Sequence, residues 1–198
     1  LCIRIARERP GCAKKVLSHI LENGRVCSAL ILSPPGMGKT TLLRDLARSL
    51  SLRNYIVAIA DERGEIAAMQ NGEPSLVGPG TDVIGGCPKH LAMEYLIRSM
   101  APEVLIADEL GGRRDPEAVC EAARQGVQVI ASAHARDLSD LAHGFRAGLL
   151  RAPLCVPRSA PYPVCIVSVF SLCLRAPFPC ALDAPAAPDD RARESALR

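Results

Sequence analysis

Residues 33–41 read SPPGMGKTT and follow directly on an apolar run, Ala29-Leu30-Ile31-Leu32. A strand that ends in a short glycine-bearing loop and passes straight into a helix is the arrangement that wraps a phosphate chain. Loop N–H groups turn inward and the helix N-terminus favours an anion. The usual pattern is G-x-x-x-x-G-K-[ST]. Ser33, Pro34, Pro35, Gly36, Met37, Gly38, Lys39, Thr40 and Thr41 follow it except at the first position, where Ser33 stands for glycine. Serine is small, so it harms the fit only where that site needs a positive φ. On this reading residues 33–41 hold a nucleotide. Lys39 reaches the β- and γ-phosphates, the Thr40 hydroxyl ligates Mg²⁺, and Gly38 lets the backbone approach the phosphates. The bland alternative is a Gly/Pro turn before a helix; the placement of G-K-T-T between strand and helix argues against it.

The rest of the chain fixes the fold class around that loop. Residues 29–150 alternate short apolar runs with longer amphipathic ones. The patterning predicts strands over 29–32, 55–60, 104–107 and 127–132. It predicts helices over 39–50, 88–100, 116–125 and 138–145, with Pro88 and Pro116 in first turns and Asp115 as an N-cap. Strands that are apolar throughout, separated by helices, imply a parallel sheet covered on both faces. The expectation is therefore an α/β fold: a RecA-like P-loop NTPase core, its parallel sheet flanked by helices. The glycine-rich segment between Gly64 and Cys87 reads as a loop or a small hairpin.

Two flanking zones differ in texture. In residues 1–28, Val16, Leu17, Ile20 and Leu21 recur at helical spacing and Asn23-Gly24 offers a stop, so this zone reads as a lead-in helix. Residues 151–198 hold 8 of the 16 prolines and 4 of the 9 cysteines, too many prolines for a regular helix. This zone is expected to be an irregular, poorly ordered Pro/Cys-rich tail, and a frameshift would account for it. The chain begins with Leu1 rather than Met, which suggests a fragment.

Candidate chemistry gathers at strand ends, where open α/β sheets bind ligands. VLIADE, residues 104–109, is a buried strand ending in two carboxylates. Nucleotide hydrolases use one such acid on the metal and another on the attacking water, so Asp108 is assigned to Mg²⁺ and Glu109 to the base. DERGE places Asp61, Glu62 and Glu65 after a strand, and a helix cap or solvated cluster competes with a functional role for each. ASAHA ends the last strand at His134, a candidate sensor of the γ-phosphate or, equally, a structural histidine. Arg63, Arg98, Arg113, Arg114 and Arg136 include candidates for an arginine finger, and the sequence does not choose among them.

Composition narrows the classes. The net charge is only +3, aromatics are 3% and there is no Trp, so neither a basic stripe nor a stacking platform points to nucleic acid. The nine cysteines form no C-x-x-C pair, which signals free thiols in a reducing compartment rather than zinc or a disulfide framework. The longest apolar stretch, 164–174, is too short to span a membrane, and no signal peptide is visible.

Taken together, SPPGMGKTTLLRDLARSL, the long run from DERGEI to IADELGG, and GVQVIASAHARDLSDL closely resemble the stage III sporulation protein AA family, predicted ATPases of endospore-forming bacteria. IRIARERPGCAKKVL also fits, so the resemblance runs from about residue 3 to 150. The family is similar in turn to the traffic ATPases of type II and type IV secretion. By that resemblance DERGE occupies an acidic box, Glu109 the Walker B glutamate and SAHA a histidine box, and Ser33 stands where the family relaxes the glycine. Secretion relatives often carry glycine before the glutamate; Asp108 here leaves open which carboxylate is nearer the metal. The resemblance implies ATP and Mg²⁺ as cofactors and a hexameric homo-oligomer. It also implies a cytoplasmic, mother-cell location at a membrane-bound channel to the forespore. Two alternatives stand beside it: a nucleotide binder unable to hydrolyse, and a RecA-like nucleic-acid-dependent ATPase.

Overall fold

The computed structural model describes residues 9–68, 74–134, 153–154 and 165–168. Four strands that the apolar runs predict are present within one or two residues: β3 (Ala29–Leu32), β4 (Val57–Asp61), β6 (Val104–Ala107) and β7 (Gln128–Ala133). With β5 (Thr81–Gly85) they make a parallel sheet in the order β5-β4-β6-β7-β3. Every residue of β3, β4 and β6 is buried, as a sheet covered on both faces requires.

Alternate residues of each strand serve opposite cores. Leu30, Leu32, Ala58, Ala60, Leu105, Ala107, Val129 and Ala131 face α3 (Lys89–Met100) and α4 (Asp115–Arg124). Ala29, Ile31, Val57, Ile59, Val104, Ile106 and Ile130 face α1 (Lys14–Ile20) and α2 (Lys39–Ser51). In α2 the buried stripe is Leu42, Leu43, Leu46, Ala47 and Leu50, the 3.6-residue period of a helix laid on a sheet.

Several expectations change in detail. The lead-in zone holds α1, but Asn23-Gly24 does more than stop it. Both residues have positive φ, 50° and 76°, and they turn a two-stranded hairpin, β1 (Leu21–Glu22) against β2 (Arg25–Val26). The glycine-rich segment is not wholly loop or hairpin: β5 pairs in parallel with β4 at the sheet edge. Its sequence, TDVIG, carries only two apolar residues, because an edge strand is only partly covered. Asp115 is the first residue of α4, not its N-cap, which is Arg114. In the 151–198 zone, β9 (Cys165–Ser168) runs antiparallel to β3 on its outer side and β8 (Pro153–Leu154) pairs with β9. The free outer row of β3 hydrogen-bonding groups accepts any extended segment, whatever its proline content nearby. The helix expected over 138–145 lies outside the described residues.

Candidate active site

The chain order β3-α2-β4 skips two places in the sheet, and β6 and β7 fill them. The strand ending in His134 therefore lies between the strand feeding the P-loop and the strand ending in Asp108-Glu109. That order brings three sequence-distant motifs together.

The loop itself is built as its sequence suggests. Gly38 caps α2 with φ 84° and ψ 18°, a left-handed conformation that side chains resist. Nothing within 4 Å would meet a Cβ there, so backbone conformation rather than space selects glycine. Ser33 is not among the non-glycine residues with positive φ, so the position does not demand glycine. It is 1% exposed and fits where a small side chain must. Pro35 and Gly36 are exposed, Met37 and Pro34 half-buried, and Thr40 and Thr41 half-buried in the first turn of α2.

Lys39 folds over the loop. Its Nζ donates to the carbonyls of Ser33 (2.9 Å) and Pro34 (3.1 Å) and to His134 Nδ1 (2.9 Å). On the far side of the ring, His134 Nε2 lies 2.8 Å from Glu109 Oε1. An ammonium can only donate, so Nδ1 accepts and Nε2 carries the proton, which it donates to the Glu109 carboxylate. The result is a continuous relay, Lys39–His134–Glu109, with an imidazole of defined tautomer between a cation and an anion. Burial pushes the Lys39 ammonium below its ordinary value, and Glu109 opposes this. At Glu109 burial pushes upward, but the His134 hydrogen bond and the nearby positive charges of Arg63 and Lys39 outweigh it, so its carboxyl stays below the usual range.

Glu109 is held in an unusual way. Its φ is 41°, left-handed for a residue with a full side chain, at a cost on the order of 1–3 kcal/mol. Its N–H donates to Ser132 Oγ (3.0 Å), and its carbonyl accepts from Lys89 Nζ (3.0 Å). Arg63 Nη1 stands 3.7 Å from its second carboxylate oxygen. Asp108 is buried at the same strand end, 3.7 Å from Lys89 Nζ. Burial pushes its carboxyl up to about 6, and Asp61, Glu109 and Glu65 add to this while Lys89 opposes it.

The acidic box divides into two roles. Asp61 is fully buried and accepts from the main-chain N–H groups of Glu65, Ile66 and Ala67 at 2.8–2.9 Å. It is a turn cap, the structural option for that carboxylate. Glu62 points to Lys89, 4.0 Å away, across a cleft of about 400 Å³ beside Glu109 that Arg63, His90, Arg113 and Arg114 also line. Arg98 lies in the last turn of α3, the helix end away from Lys89, and Arg136 falls outside the described residues.

Lys89 and Ser132 were not legible as site residues. Lys89 carried one signal, a lysine directly after Pro88 at a helix start, where the macrodipole disfavours a cation. Among the described residues no cluster of three or more His, Cys, Asp or Glu is arranged to hold a metal. The fit of a divalent ion thus rests on the buried Asp108 carboxylate, which has Asp61, Glu109 and Glu65 as acidic neighbours and Lys89 as a cationic one. Mg²⁺ is ordinarily held by one or two protein oxygens together with phosphate oxygens, and the protein oxygens the sequence offers for it are the Asp108 carboxylate and the Thr40 hydroxyl.

The sequence model of the family described as "Sporulation stage III, protein AA" matches residues 1–152. Stage III sporulation protein AA of Bacillus subtilis is 46% identical over 145 residues, covering 70% of this chain and 47% of that protein. Protein SEEDLING PLASTID DEVELOPMENT 1 of Arabidopsis thaliana is 31% identical over 144 residues, covering 71% of this chain and 21% of that protein. The chain thus spans less than half the length of these relatives. Among solved structures, the VirB11 ATPase of the Brucella suis type IV secretion system aligns with a TM-score of 0.42 at 18% identity, covering 56% of this chain and 31% of that one.

Proposed function

The chain belongs to the Sporulation stage III, protein AA family, and from that premise we propose that it binds and hydrolyses ATP with Mg²⁺ as the motor domain of a sporulation channel. The observation that carries this reading is the relay from Lys39 through His134 to Glu109. It couples the group that would meet the γ-phosphate to the group that would activate water, through one imidazole at the end of the intervening strand.

Each residue then has a defined task. Residues 33–41 would wrap the phosphates, with Lys39 exchanging the Ser33 and Pro34 carbonyls for phosphate oxygens. Asp108 and Thr40 would hold Mg²⁺, which supplies charge neutralisation at the β- and γ-oxygens. Glu109, kept ionised by its neighbours, would accept a proton from water. His134 reports the state of one end of the relay to the other, because movement of Lys39 removes the partner of Nδ1. Arg63 Nη1 stands 3.7 Å from the Glu109 carboxylate.

The family supports assembly as a homo-oligomeric ring, hexameric by the motif resemblance, on the cytoplasmic mother-cell side of a membrane-bound channel. No helix of the described residues is long and apolar enough to cross a membrane. Mg·ATP turnover by the chain and by Lys39→Ala tests the reading. Turnover is expected in the first and a fall to background in the second, and equal rates would sink the assignment. Thermal stabilisation by Mg·ATP without phosphate release would favour a nucleotide binder that does not hydrolyse.

A further inference from the structure

Lys89 is unfavourable where it stands. It opens α3, so its charge faces the positive end of the helix macrodipole. It is only 6% exposed, so it also loses hydration. Three groups face its ammonium: the Glu109 carbonyl at 3.0 Å, Asp108 Oδ1 at 3.7 Å and Glu62 Oε2 at 4.0 Å. Only the first is within hydrogen-bond distance. The residue it grips, Glu109, carries a full side chain on left-handed backbone, φ 41°. Ser132 of β7 takes the N–H of that residue and Lys89 of α3 takes its carbonyl. The main chain of Glu109 is therefore tied at both polar groups, by two different elements.

We propose that Lys89 is a positioning residue for hydrolysis: by holding the Glu109 carbonyl it keeps the strained main chain in place and so aims the Glu109 carboxylate, without touching nucleotide itself. The inference rests on the hydrolytic reading of Glu109. Lys89 lines the cleft of about 400 Å³ that also includes Arg63 and Arg113, and neither Lys39 nor His134 lines that cleft. The ammonium thus acts from outside the phosphate loop. A purely structural ion pair with Asp108 makes a different prediction, since its loss would weaken folding and nucleotide binding alike.

The experiment compares Mg·ATP turnover, Mg·ATP affinity and thermal midpoint for the full chain and its variants. Lys89→Met retains most of the side-chain stem and removes the ammonium. It is expected to lose kcat by roughly 10²-fold, the penalty of a misaimed catalytic group, with KM within about twofold of the parent. Because Lys89 lines an open cleft, added ethylammonium is expected to restore part of the turnover of Lys89→Ala. Unchanged kcat in a folded Lys89→Met, or a loss confined to KM, overturns the proposal while leaving the hydrolytic reading intact. An unmodified chain that binds but never turns over Mg·ATP overturns both. If Lys89→Met fails to fold, Lys89→Arg carries the test. It keeps a cation beside Asp108 but presents a flat fork instead of a compact ammonium, and is expected to lose roughly 10-fold in kcat. Parental kcat in folded Lys89→Arg overturns the proposal.

Discussion

At the residue scale, the departure of Ser33 from the phosphate-loop pattern has a simple physical account. The conformational demand sits at Gly36 and Gly38, with φ of 77° and 84°, and not at residue 33. Ser33→Gly is therefore expected to leave Mg·ATP affinity within about twofold. It should lower stability by about 0.4–1 kcal/mol through the looser unfolded chain, which urea titration would read. A rise of tenfold in affinity would show that the serine does constrain the loop. Sequence pattern alone singled out Lys39, Glu109 and His134 as candidates, because each sits beside a strand end in a short motif. It did not show that His134 touches both of the others, at 2.9 and 2.8 Å. Nor did it expose Lys89 and Ser132, whose contributions are made through main-chain groups of Glu109.

At the element scale, the segment after β4 is organised by a carboxylate rather than by regular structure. Asp61 gathers three successive N–H groups, and Arg44 of α2 donates to the carbonyls of Glu65 and Ile66 from the other side. Asp61→Ala would leave those donors without acceptors in a buried turn. The expected loss is on the order of 2–3 kcal/mol of unfolding free energy by denaturant titration. A loss of KM or kcat with unchanged stability would instead give Asp61 a direct part in the chemistry. Asp115 acts in the same way at the other loop, accepting from Gly111 (3.0 Å) and Gly112 (2.7 Å) ahead of α4. The sequence pattern reads Asp115 as the N-cap of α4; in the fold Arg114 takes that position and Asp115 ties down the loop before the helix.

At the scale of the whole molecule, the parallel sheet gathers carboxylates at one edge, and that has a linkage consequence. Asp108 is raised from 3.8 to about 6 in the folded protein. Between those values the folded state binds the proton and the unfolded state releases it. Stability conferred by Asp108 is therefore highest near pH 4 and falls as the pH rises toward 6, by on the order of 3 kcal/mol in all, then levels off. Unfolding free energies of the parent chain and Asp108→Asn across pH 4–7 check this. The parent is expected to show the more negative slope below pH 6, and identical slopes would show that the Asp108 carboxyl is not raised. Near neutral pH the ionised Asp108 is thus held at a cost in stability.

Much of this architecture is written locally. Short, largely apolar runs read as covered strands, the Leu42, Leu43, Leu46 and Leu50 stripe reads as a helix lying on them, and G-K-T-T marks the tight passage from one to the other. Such features follow from periodicity and backbone preference, which act over a few residues. The edge strand β5, the pairing of β9 with β3 and the clamps on Glu109 are different. They depend on which segments lie side by side, and no local pattern encodes that β7 comes between β3 and β6. The sequence by itself determined the α/β class and named the P-loop, the acidic strand end and the histidine. Only the tertiary structure decided that these meet in one hydrogen-bonded line, because strand order is settled by the packing of helices over the whole sheet.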